Sequence, residues 1–119
     1  RYAEALLNYA ELVAMHSQAA VGGLTAQSCL DQVRKRAFGV DNSIPANAAN
    51  IKLERRREFV GEGMRYWDLV RWGDAPSVLT ESLTESTRTW TTNKKYLPIP
   101  QLEIEKTAGT EFALEQNPY

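Results

Sequence analysis

The sequence predicts a mostly α-helical chain. It comprises a helical hairpin over 1–39, a long charged helix over 47–73, and a 74–119 region of short helix, small β-hairpin and irregular tail. Three observations predict it. Apolar residues recur at helical spacing over the first forty positions, ERRREFVGEGMRYWDLVRWG (54–73) mixes charges with aromatic residues at the same spacing, and Pro98 and Pro100 exclude a central strand near the end.

In the first element Ala3, Leu6, Leu7, Ala10, Val13 and Ala14 form the i, i+3, i+4, i+7 stripe of a helix from Tyr2 to about Ser17 that buries one face. Alanine at 3, 5, 10 and 14 keeps one side thin enough for a close neighbour. Gly22 and Gly23 break the pattern. A second helix starts at Thr25, a suitable N-cap, and places Cys29, Leu30, Val33 and Ala37 inward. Gly39 suits the left-handed position that ends it, and Arg34, Lys35 and Arg36 complement the helix dipole. Two helices joined by a short Gly-containing loop resemble a tetratricopeptide unit. Such repeats close a core only in stacks of about three, so further units are expected before Arg1. The start at RYAEALL, with neither Met nor cap, likewise reads as a chain cut from a longer one.

GVDNSIPANAAN (39–50) is a loop, with Pro45 forcing an extended Ile44 and Asn47 capping the next helix. That helix is predicted from about Ala48 to Trp72, closed by Gly73, with Gly61 and Gly63 as internal weak points costing about 1 kcal/mol each relative to alanine. Asp74 and Pro76 start a short helix through Val78, Leu79 and Leu83. The polar run over 80–93 includes a mobile loop, and RTWT and KKYLPI pair as a hairpin around Thr92 and Asn93. Gln101 to Lys106 is at most one helical turn.

Composition excludes several functions. The 119 residues, 43% hydrophobic and 24% charged, make one modest globular domain, and 14 basic against 15 acidic residues leave no broad positive field for nucleic acid or an anionic bilayer. With one cysteine, Cys29, at a spacing that suits burial, and one histidine, His16, zinc sites and Ser/His/Asp or Cys/His triads lack raw material. There is no transmembrane run and no signal peptide.

The charged helix has two readings. At i, i+3, Glu54 reaches Arg57, Arg55 reaches Glu58, Glu62 reaches Arg65, and Arg65 and Arg71 both reach Asp68. A solvated face would gain only about 0.3 kcal/mol per pair, and Trp67 and Trp72 demand burial on the same stretch. Arginines held between helices, with their forks on carboxylates, satisfy both demands. The enzymatic alternative makes Glu58 and Glu62 a glycosidase pair, but adjacent arginines favour ionised carboxylates and oppose a general acid.

Taken in order, RYAEALLNYAEL, VRKRA (33–37), ERRREFVGEGMRYWDLVRWG, YLPIPQLEI and QNPY resemble the C-terminal portion of the SusD/RagB family over nearly the whole of 1–119. The combination of ERR, EG.R..DL.RWG, LPIP and QNP carries the resemblance; members commonly have a glycine after the last proline, which is missing after Pro118. The resemblance implies the C-terminal part of a single SusD-like domain in a nutrient-binding lipoprotein on the outer face of the outer membrane. Such a protein caps a TonB-dependent barrel transporter and passes it an oligosaccharide or other nutrient, without catalysis or cofactor. The membrane would be met only through a lipid on an N-terminal cysteine, a role mid-helix Cys29 does not suit.

The resemblance makes Glu54, Arg55, Arg56, Glu58, Glu62, Gly63, Arg65, Trp67, Asp68, Arg71 and Trp72 a structural signature. It places sugar-binding residues upstream, leaving Trp90 and Tyr96 as the only ligand-contact candidates here, with Trp90 read first as packing. The alternative function is a tetratricopeptide-like scaffold for another protein.

Overall fold

The computed structural model describes residues 1–80 and 90–118, and every regular element among them is helical. These are α1 (Tyr2–Met15), α2 (Ala26–Phe38), α3 (Ala48–Glu58), α4 (Met64–Trp72), α5 (Ala75–Thr80), a 3₁₀ turn (Thr92–Lys95) and α6 (Gln101–Thr107). The chain divides into two compact units, Arg1–Arg65 and Tyr66–Tyr119.

In the first unit α1 packs against both α2 and α3. Leu6, Leu7 and Ala10 of α1 meet Ala26, Cys29, Leu30 and Val33 of α2 and Ile51 of α3, with Phe59 closing one end. The helical stripe read in the sequence is thus the core face, although Ala14 and Ala37, in the last turns of their helices, are exposed. Helix α1 stops at Met15, and Ser17 takes a left-handed φ of 54°. Thr25 and Ser28 exchange side chain to backbone bonds at 3.0 Å to start α2, and left-handed Gly39 ends it.

Single side chains fix the loops. Tyr9 Oη accepts from the Val21 amide (2.7 Å) and donates to the Leu24 carbonyl (3.0 Å). Gln27 of α2 donates to the Ile44 carbonyl (2.8 Å) and accepts from the Ala46 amide (2.9 Å), which holds the 40–47 loop against the hairpin. Asn47 then caps α3 by accepting from the Asn50 amide at 2.9 Å.

The long helix expected over 47–73 is two helices. The chain leaves α3 at Phe59 and turns through Gly61 (φ 79°) and Gly63 (φ 73°) before α4. Two left-handed residues so close together cannot be absorbed into a right-handed helix, so the glycines read as weak points are the turn itself.

In the second unit Leu69, Asp68 and Ala75 are buried. Of the short helix expected through Leu83, only Ala75–Thr80 is described; Leu83 and the mobile loop expected within 80–93 lie wholly or mostly outside the described residues. The β-hairpin is corrected. Its first residues, 88–89, lie outside the described part, and its expected turn is instead the 3₁₀ turn, held by the Tyr66 hydroxyl donating to the Lys94 carbonyl. Gln101–Thr107 is a helix of seven residues, longer than the single turn expected.

Between the prolines at 98 and 100 the backbone cannot pair as a strand, and side-chain amides take the place of one. Gln116 accepts from the Ile99 amide (2.7 Å) and donates to the Ile99 carbonyl (2.9 Å). Asn117 donates to the Leu97 carbonyl at 2.8 Å. The QN of QNPY and the LPIP segment, far apart in sequence, are thus one structural feature.

Candidate functional site

The charged side chains of α3 form a lattice between helices. Arg34 of α2 donates through Nη1 to Glu54 (2.7 Å), and its Nε and Nη2 bind the carbonyl (2.6 Å) and side chain (2.9 Å) of Asn42. Both charges of this pair are about 95% buried, so the desolvation of each is offset by the other and by Asn42. Arg55, 2% exposed, lies between Asn8 Oδ1 (2.5 Å) and Glu11 Oε2 (3.7 Å) of α1, with its guanidinium 5.1 Å from the centre of the Phe59 ring. Glu11 is itself buried and meets His16 Nε2 at 3.7 Å.

Glu58 is approached from two sides. Arg36 Nη2 donates to both of its oxygens (2.6 and 2.5 Å), and Arg1 reaches its carboxylate at 3.4 Å and its carbonyl at 3.0 Å. Arg1 also pairs with Glu62, and its guanidinium stands 5.7 Å from the centre of the Phe59 ring. Glu58 and Glu62, read in the sequence as the glycosidase alternative, therefore share one guanidinium.

Of the i, i+3 pairs expected along the element, Glu54–Arg57 (3.6 Å) and Asp68–Arg71 (2.8 Å) form. Glu62 pairs instead with Arg1, and Arg55 turns to α1. Arg65 is half-buried and Arg56 exposed. Arg71 stacks on Trp72 at 4.9 Å, and Trp72 is half-buried. Trp67 departs from expectation: it is 44% exposed and meets Tyr66 edge to face at 5.2 Å.

Sequence reasoning missed Asn8, Glu11, Arg34 and Asn42 as lattice members. The signal was present. Glu11 follows Leu7 by four positions and Arg34 follows Leu30 by four, so each is a charge on the buried face of its helix.

The ligand-contact candidates are not alike. Trp90 is half-buried, and its Nε1 is buried without a partner among the described residues. Tyr96 is 45% exposed, with the Lys95 ammonium 4.8 Å from its ring centre. Burial pushes the Cys29 thiol up from its ordinary range, partly countered by a hydrogen bond with Ser28, which suits a packing residue rather than a nucleophile. Among the described residues no His/Cys/Asp/Glu group could hold a metal, and no helix is long and apolar enough to cross a membrane.

In the first unit an open groove of about 710 Å³ lies where α1 begins and α2 ends. It is lined by the apolar Ala3, Leu6 and Val33, by Tyr2 and Gln32, and by the charged Arg1, Lys35, Arg36 and Glu58.

Helices of the first unit are thus laced by buried arginine–carboxylate pairs. Residues 1–119 match the SusD family throughout, and the chain belongs to that family. Two solved structures show the same fold. Surface glycan-binding protein A from Bacteroides fluxus is 60% identical with a TM-score of 0.90, over 99% of this chain and 26% of its own. Surface glycan-binding protein A from Bacteroides thetaiotaomicron, in complex with laminarihexaose, is 48% identical with a TM-score of 0.80, over 100% of this chain and 24% of its own. The chain thus spans about a quarter of these relatives. No curated protein matches it.

Proposed function

We propose that the polypeptide carrying these residues is a non-catalytic glycan-binding protein of the cell surface, and that residues 1–119 are scaffold rather than ligand surface. The observation that carries this reading is the likeness, along the whole chain and at 46–60% identity, to surface glycan-binding proteins, one of them solved with laminarihexaose. The scaffold role rests on the lattice, in which the buried charges Arg34 and Glu54, and Arg55 and Glu11, pair between helices. Neither cofactor nor metal is required.

Titration calorimetry of the longer polypeptide with laminarihexaose is expected to give saturable binding, with no new reducing ends after prolonged incubation. A folded protein that binds no member of a panel of soluble glucans, or that cleaves one, overturns the reading.

Delivery is the finer part of the proposal. The glycan passes to a TonB-dependent barrel in the outer membrane, which the protein caps while held by an N-terminal lipid. Affinity purification from detergent-solubilised envelopes is expected to bring down such a barrel in stoichiometric amount. Recovery in the soluble fraction, or with an unrelated helical partner, favours the protein-interaction scaffold instead.

A further inference from the structure

We draw no further inference here: the strongest candidate, the open groove of the first unit where α1 begins and α2 ends, lined by Tyr2, Leu6, Val33, Lys35 and Arg36, carries nothing, because nothing in the structure shows what covers it.

Discussion

Arg34 and Glu54 meet at 2.7 Å with only 5% and 3% of their side chains exposed, although one lies on α2 and the other on α3. A buried pair of this kind contributes little net stability when intact, because each charge is desolvated. Removing one partner strands the other at a cost of about 3–5 kcal/mol. Glu54→Ala in the longer polypeptide is thus expected to lower the urea midpoint sharply. The double variant Arg34→Met, Glu54→Leu is expected to recover most of the loss. A double variant as unstable as the single one would show that Asn42, also left without its donor, dominates.

Gly61 and Gly63 make a separate prediction. A Cβ at either would meet nothing within 4 Å, so substitution there is a matter of backbone conformation alone. Gly63→Ala is expected to cost about 1–2 kcal/mol and Gly63→Asn clearly less, because asparagine tolerates the left-handed region. Equal stability of the alanine variant in chemical denaturation would mean that the turn is not held as described.

Gln116 is expected to be the residue that keeps the LPIP segment in place. Gln116→Ala removes both bonds to Ile99 and is expected to speed amide exchange at Ile99 at least tenfold, with about 1–2 kcal/mol lost. Gln116→Glu keeps the acceptor and loses the donor, so it is expected to fall between the two. Exchange at Ile99 unaltered in the alanine variant would refute the pairing.

Cys29 gives a pH dependence whose sign is fixed by burial. Its thiol is raised in the folded state above the ordinary value of 9.0, so the unfolded chain ionises first. The neutral thiol's contribution is intact below that value and is lost as pH rises above it. Cys29→Ala, compared at pH 7 and pH 10, is expected to be relatively less harmful at the higher pH. Ellman's reagent is expected to find the thiol only after unfolding.

Trp90 tests packing against sugar contact. Its Nε1 is buried without a partner among the described residues, so Trp90→Phe removes an unpaired donor and is expected to leave Tm within about one degree. Laminarihexaose affinity is expected to persist in Trp90→Ala while Tm falls. The reverse pattern would make Trp90 a ligand platform.

The sequence alone was sufficient for α1, α2 and the start of α3 and for most of their inward faces, because helical periodicity and caps such as Thr25, Gly39 and Asn47 are local, acting within one or two turns. It also carried the family, through motifs spread from Arg1 to the terminal QNPY. The break at 59–63 was less legible, since a glycine in a helical pattern costs little by itself and only its φ tells a weak point from a turn. The hairpin expected at Thr92 and Asn93 failed for a related reason. β-prone residues there have no strand to pair with among the described residues, and Tyr66 instead holds a 3₁₀ turn.

Beyond Glu54–Arg57 and Asp68–Arg71, which spacing foresaw, only the tertiary structure decided which charges pair. Spacing along one helix offered Arg55 to Glu58 and Glu62 to Arg65, whereas the fold pairs Arg55 with Asn8 and Glu11, Glu54 with Arg34, Glu58 with Arg36 and Arg1, and Glu62 with Arg1. An exposed neighbour at i, i+3 contributes roughly 0.3 kcal/mol, while a buried charge that lacks a partner costs several times as much. Where helices pack, the cost of a stranded charge therefore chooses the partner. It acts between residues tens of positions apart, which periodicity in one element cannot report.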